Sequence, residues 1–334
     1  MQARIRNWMH WAICLIASPI ILFGFRSPPP ETKHAVFSRI LNPTYRDWLQ
    51  DPGTNYVYQI PASPIGVLFL AHGCGRSALV YWDAHSGCPS CRGLPEERAF
   101  VISAIEHRFA VIAISSTGVC WNLDDDQENV VRILDDWIGQ HGLHELPVVA
   151  LGSSTGGWFV SRIAGYRVRF EAIVLVVAEG RFGGRVNVTE RYPPVMFVHM
   201  VKDVVRARRI RADMEELQRG GVEVAEVECG EVPISDGYFA VRIPVVDVVT
   251  SKKIVAALVA NGSLTSRRVM KQDARWFDWS LVLEERNLLP PQLREHVEQE
   301  LNVAFAFHEF SSHPGPEILQ WLGLHVQARN VSRH

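Results

Sequence analysis

Leu151-Gly152-Ser153-Ser154-Thr155-Gly156-Gly157 decides how this chain reads. It is a Gly-x-Ser-x-Gly that follows the apolar run 147–152 (PVVALG) and opens a segment of helical period at 155–163. The glycines on either side of Ser154 leave room for a tight strand-to-helix turn, which lifts the serine hydroxyl above the strand end. The helix N-terminus behind it favours a developing negative charge. Ser154 is therefore a candidate nucleophile, and the plain alternative is a Gly/Ser-rich turn that merely joins a strand to a helix.

Short β-branched apolar runs lie on both sides of this motif, at 65–71, 109–115, 147–152, 172–177, 195–200 and 222–227. Helical segments alternate with them at 128–140, 155–163 and 205–218, the last closed by Gly220-Gly221. Apolar runs separated by helices predict a doubly wound, mostly parallel α/β sheet of six strands. After 227 the alternation lapses, and 254–260, 276–289 and 292–307 have helical character. The segment 230–307 reads as an inserted helical cap, before a last helix at 316–324 that packs back on the sheet. No repeat, heptad or extended low-complexity tract interrupts this pattern, and 31–334 forms one domain.

A second motif, Ala71-His72-Gly73-Cys74-Gly75, directly follows the strand at 65–71, where an oxyanion loop belongs. Backbone N–H groups of Cys74 and Thr155 would then point at one oxygen. Serine at its ordinary pKa is a poor nucleophile, so a histidine must take its proton and a carboxylate must orient that histidine. Asp203, just past the strand 195–200, is the candidate acid, with Glu179 after the preceding strand as runner-up. No histidine occurs between His199 and His296, so the base comes from beyond the cap. His308 is preferred because it ends a helix and begins a loop, and His313 is the alternative.

On GSSTG at 152–156 and HGCG at 72–75, the chain resembles the α/β-hydrolase superfamily over 65–324. Cys88-Pro89-Ser90-Cys91-Arg92-Gly93-Leu94-Pro95-Glu96-Glu97-Arg98 and Leu301-Asn302-Val303-Ala304-Phe305-Ala306-Phe307-His308-Glu309 look more narrowly like a poorly characterised group of members best known from plants. That resemblance implies a hydrolase fold without a known substrate. The chain departs from the usual pattern in placing its base after the long segment 230–307.

Residues 7–25 (NWMHWAICLIASPIILFGF) carry no charge and would span about 28 Å as a helix, close to a bilayer core. Arg4 and Arg6 precede them, and Phe23-Gly24-Phe25-Arg26 is a poor cleavage site, so a retained anchor is favoured over a removed signal peptide. Ser27-Pro28-Pro29-Pro30 completes this 1–30 region as a stiff spacer. The arginines hold the short tail in the cytosol and send the domain to a lumenal or extracellular side, on a secretory route. Sequons at Asn187, Asn261 and Asn330 fit that route. In such a compartment Cys88-Pro-Ser-Cys91 is best read as a structural disulfide, against zinc binding with His85 or a redox pair.

With 34 basic against 36 acidic residues, no field favours nucleic acid as a partner. The expected chemistry is hydrolysis of a carboxylic ester or lipid-like acyl substrate through a Ser-Asp-His triad, needing no cofactor and no metal. Trp276, Phe277 and Trp279 in the cap would roof an apolar pocket. The competing reading is a hydrolase-fold protein that binds a small ligand or partner without catalysis.

Overall fold

The computed structural model describes residues 41–49, 53–165, 168–180, 182 and 192–332. The expected anchor at 7–25, the spacer at 27–30 and the sequon at Asn187 lie outside them. Among the described residues, no helix is long and apolar enough to cross a membrane.

Eight strands form a single sheet: β1 (Thr44–Trp48), β2 (Thr54–Gln59), β3 (Gly66–Ala71), β4 (Phe109–Ile114), β5 (Val148–Ser153), β6 (Ile173–Val176), β7 (Val195–Met200) and β8 (Val224–Cys229). Their order is β1-β2-β4-β3-β5-β6-β7-β8. β1 and β2 pair antiparallel, β2 pairs antiparallel with β4, and every later pairing is parallel. This strand order and the helices on both faces are the α/β-hydrolase fold.

Six strands were expected from the apolar runs; the structure adds the hairpin β1–β2. TYRDW and TNYVYQ mix charged and amide side chains with aromatics, as suits an edge that meets solvent, so no continuous apolar run marks them. The central strands β3 and β4 are buried at every position, which is why they are plain in the sequence.

Two apolar layers flank the sheet. On one face α1 (Pro95–Glu106) and α9 (Gly315–Ser332) contribute Phe100, Ile318 and Leu322 to a core shared with Leu68, Leu70 and Val111. On the other, α2 (Leu123–Gln140), α3 (Thr155–Ile163) and α4 (Val204–Arg219) contribute Ile133, Phe159 and Ile210, packed on Phe69, Ile112 and Phe197. The chain thus leaves β3 and β5 toward opposite faces. Their carboxyl ends adjoin, with Ala71 opposite Gly152, and this parting of connections opens the crevice where an open α/β sheet holds its ligand.

Between β8 and His308 the regular elements are helices: α5 (Tyr238–Arg242), α6 (Val248–Ala260), α7 (Trp279–Glu284) and α8 (Arg294–Phe305), with 3₁₀ turns at Ala274–Trp276 and Pro291–Leu293. The helix expected at 276–289 is broken, because a 3₁₀ turn precedes it and Asn287 takes a left-handed φ of 52° before Pro290 and Pro291. This segment has its own apolar cluster, which includes Ile234, Phe239, Leu258, Leu283 and Leu301.

A buried polar cluster docks the segment on α1, a helix the sequence reading did not draw. Arg242 donates to Glu96 Oε1 at 2.7 Å and to Glu300 Oε2 at 3.2 Å, and Glu96 Oε2 accepts from the Ser312 amide at 2.6 Å and hydroxyl at 2.9 Å. Burial alone would raise the Glu96 pKa; Arg242, His313 and Ser312 outweigh it and hold the carboxyl below the usual range. Burial, reinforced by the Glu96 charge against the pull of Arg242, pushes Glu300 well above it. Because Glu96, Glu97 and Arg98 are all buried, α1 shows no polar stripe, and its period is hidden.

Candidate active site

The elbow after β5 begins with Ser154 at φ 52° and ψ −115°, a conformation that costs a non-glycine residue about 1–3 kcal/mol. Fixed backbone bonds hold it there. The Ser154 amide donates to Val176 O at 2.9 Å, and Ser154 O accepts from the amides of Gly157 at 3.1 Å and Trp158 at 3.2 Å. The flanking glycines make room. A Cβ on Gly152 would enter the Gly156 backbone, one on Gly156 would strike the Ala71 carbonyl at the end of β3, and one on Gly157 would press on Ala178.

The Ser154 hydroxyl meets the His308 ring, with Oγ 3.2 Å from Nε2. On the other side of the ring, Nδ1 lies 3.2 Å from Asp203 Oδ2. Asp203 follows β7 directly and caps α4, its Oδ1 accepting the Arg206 amide at 3.1 Å while Oδ2 accepts Arg206 Nε at 3.3 Å. The three residues singled out from sequence as nucleophile, acid and preferred base are thus joined by hydrogen bonds across 154 positions of chain. Burial lowers the His308 pKa, the Arg206 charge lowers it further, and Asp203 opposes both. The ring is therefore neutral at neutral pH, with Nδ1–H facing the carboxylate and Nε2 free to accept.

His313, the alternative base, is not at Ser154. Its Nε2 faces Arg242 within the buried cluster on α1. Glu179, the runner-up acid, pairs with Arg206 and with Arg209 Nη1 at 2.8 Å.

The loop after β3 comes within van der Waals reach of Ser154: a Cβ on Gly73 would lie 3.7 Å from Ser154 Cβ. Cys74 Sγ sits 3.3 Å from Thr155 Oγ1, so the two residues expected to supply oxyanion amides are neighbours. His72 braces this loop from below. Its Nε2 accepts the Ser116 amide at 3.0 Å, which leaves the proton on Nδ1 to donate to Gly73 O at 2.7 Å. Burial pushes its pKa down to about 4, more than the Gly73 hydrogen bond raises it.

Cys88 and Cys91 form a disulfide, which removes both from zinc binding. Among the described residues, no group of three or more His, Cys, Asp or Glu side chains is arranged to hold a metal ion. A second disulfide, Cys74–Cys120, ties the loop after β3 to the loop after β4, where the Gly75 amide also donates to Val119 O at 2.7 Å. Nothing in the local sequence pairs two cysteines 46 positions apart; the adjacency of β3 and β4 does.

A cavity of about 330 Å³ opens beside the serine, lined by Ser154, Thr155, Trp158, Glu179 and Arg206. The expected roof of cap aromatics is not part of its lining. Trp279 is buried in the cap's own core, Phe277 packs against that core, and Trp276 is 64% exposed, set edge-on to Phe307 at 5.2 Å.

No protein-family model matches the chain, and no curated protein does. Among solved structures it is similar to a carboxyl esterase from Bacillus coagulans, at 12% identity over 56% of this chain and 90% of that one, with a TM-score of 0.42. It is also similar to carboxyl esterase 2 from the fungus Tuber melanosporum, at 14% identity over 65% and 86%, with a TM-score of 0.42. An esterase from Pyrobaculum calidifontis shares 11% identity over 70% and 91%, also with a TM-score of 0.42.

Proposed function

We propose that this protein is a serine hydrolase that transfers the acyl group of a carboxylic ester to water through an acyl-enzyme on Ser154. The observation that carries this reading is the hydrogen-bonded chain Ser154–His308–Asp203 at a strained elbow. His308 Nε2 takes the hydroxyl proton as Oγ attacks the carbonyl carbon. The carbonyl oxygen becomes an oxyanion facing the amides of Cys74 and Thr155, the latter at the first position of α3, where a helix amide has no acceptor of its own. The imidazolium, steadied by Asp203, gives its proton to the departing alcohol. Water then repeats the sequence on the acyl-enzyme and releases the acid.

The cavity volume and its Glu179–Arg206 wall support a short acyl group rather than a long lipid chain. The uncharged stretch 7–25 supports a membrane-anchored protein whose domain faces a lumenal or extracellular side, a reading tested by resistance to carbonate extraction. The test of the chemistry is a fluorophosphonate probe, which labels only an activated serine. Wild type should be labelled stoichiometrically and Ser154→Ala should not; equal labelling of both would end this assignment.

A further inference from the structure

His308 stands where little regular structure supports it. Helix α8 stops at Ala306, whose left-handed φ of 61° breaks the helical run, and the chain from 307 to 313 carries the ring toward Ser154 with no helix or strand. Two backbone hydrogen bonds grip it on either side of Phe307. Ala306 O accepts the Lys202 amide at 3.0 Å, from the turn that also bears Asp203. His308 O accepts Arg275 Nη1 at 2.8 Å, from the cap.

The donor of that second bond is itself immobilised. Asp273, fully buried, accepts Arg275 Nε at 2.8 Å, Nη2 at 2.6 Å and the Arg275 amide at 2.9 Å. This two-point carboxylate fork fixes the plane of the guanidinium. The fork leaves Nη1 directed at the His308 carbonyl, and the guanidinium lies 5.9 Å over the Phe307 ring, which also meets the Trp276 indole. An arginine one-third exposed would ordinarily wander; this one has its direction set from beneath.

We propose that Arg275 is a positioning residue for His308, held by Asp273 and acting through the His308 carbonyl, so that docking of the cap and assembly of the triad are one event. The proposal rests on His308 being the base. The imidazole has to meet Ser154 and Asp203 at the same time, both at 3.2 Å, and a displacement of about 1 Å at such a group costs on the order of 10²-fold in rate. It also explains why the base can lie beyond the 230–307 insertion: the insertion supplies the clamp.

The charged groups facing His308 are Asp203 after β7, Arg206 on α4 and Arg275 on the cap. Arg275→Met removes fork, donor and charge. It should lower kcat on p-nitrophenyl acetate about 10²-fold with KM changed by less than about twofold, and move the acid limb of kcat/KM to higher pH, since a positive charge that depresses the imidazole pKa is gone. Arg275→Lys keeps the charge without the fork, so its limb should stay at the wild-type position while kcat falls between the two. A second readout does not depend on turnover: the His308 Nδ1–H proton resonance, assigned by its loss in His308→Gln, should be sharp in wild type and exchange-broadened in Arg275→Met. A folded Arg275→Met protein with wild-type kcat, or with a sharp unshifted resonance, overturns the proposal. If the wild type neither hydrolyses esters nor reacts with fluorophosphonate, the hydrolase reading falls instead, and the resonance still decides whether Arg275 places the ring.

Discussion

The elbow that carries Ser154 and the loop that carries His308 meet at one hydrogen bond, yet they are held in different ways. At the elbow the constraint is backbone: β5 is paired on both sides, three glycines let α3 and β3 close in, and the strained serine is trapped by bonds to its own amide and carbonyl. At the loop of His308 one backbone bond, from the Lys202 amide to Ala306 O, is joined by side chains contributed by distant elements: Arg275 on the cap, Asp203 after β7, and Glu96 on α1 through Ser312. Ser154 is thus placed by local chain geometry and His308 by tertiary packing. A substitution at the elbow should act on chemistry or on folding as a whole, whereas one at the base loop should be graded by how much of the clamp it removes.

The largest effect belongs to the hydrogen-bonded chain itself. Ser154→Ala should lower ester hydrolysis by about 10⁴-fold or more with the melting temperature little changed, because only a hydroxyl is lost and the glycines still set the turn. His308→Ala should match it, and the double variant should be no slower than either, since members of a triad act as a unit. Additive losses would show that the two residues do not share a step.

A smaller effect should follow from cutting Cys74–Cys120, which sharpens the contrast by loosening the loop after β3 while leaving both Ser154 and His308 in place. Cys120→Ser should cost about tenfold in kcat, less than the ~10²–10³ of losing an oxyanion donor outright, because the Gly75–Val119 hydrogen bond and the His72 brace remain. The loop it closes predicts a stability loss of about 3–4 kcal/mol, read from chemical denaturation. Wild-type kcat in a destabilised protein would place the disulfide outside catalysis.

The two regions also differ in how far the sequence exposes them. Gly-x-Ser-x-Gly and His72-Gly73-Cys74-Gly75 are contiguous and follow buried apolar strands, so the serine, its neighbours at Cys74 and Thr155, and most of the sheet can be read from pattern alone. His308 could be preferred over His313 only on where a helix was expected to end, and that end is a left-handed Ala306 with no glycine to announce it. Arg275 and Cys120 carry no local signal, and Glu96 stands out only as part of the motif 88–98, with nothing to show what it contacts. Each acts on a partner brought close by the fold, at separations of 33, 216 and 46 positions. The antiparallel strands β1 and β2 and the buried-charge helix α1 escaped for a related reason: their polarity does not follow the period of their secondary structure.

Proton binding separates His308 from His72. His308 must be neutral to accept the serine proton, and its pKa lies below the ordinary 6.5, by burial and then by Arg206. The rate, kcat/KM, should therefore be at its plateau above pH 6.5 and fall only as pH drops through that lowered value. His72, buried and neutral beneath the oxyanion loop, has a folded pKa of about 4. The folded state binds fewer protons than the unfolded one between pH 6.5 and 4, so stability falls as pH falls across that window, by on the order of 3 kcal/mol from His72. Urea titrations of wild type and His72→Gln at pH 7, 5.5 and 4 measure it by difference, which removes the opposing contributions of Glu97 and Asp213, whose carboxyls burial raises to about 7 and about 6. An identical pH dependence in the two proteins would contradict the neutral, doubly hydrogen-bonded ring.

The smallest expected change in rate is at His313, and it tests the division between the regions most directly because this residue lies five positions from the base. Its ring faces Arg242 in the cluster with Glu96 and Glu300, not the serine. His313→Ala therefore takes away a polar neighbour of a buried guanidinium that still has both carboxyl groups beside it. The Arg242–Glu96 contact at 2.7 Å and the Ser312 bonds to Glu96 continue to anchor the loop, so kcat should stay within about threefold of wild type, against at least ~10⁴ for His308→Ala. Stability should drop by about 1–3 kcal/mol, the usual cost of leaving a buried polar group short of a partner. His313→Gln, which can still offer an acceptor to Arg242, should recover part of that stability. A rate loss at His313 as large as that at His308, with the protein still folded, would mean that the two rings exchange roles, and the base could no longer be assigned to the loop position that the cap clamps.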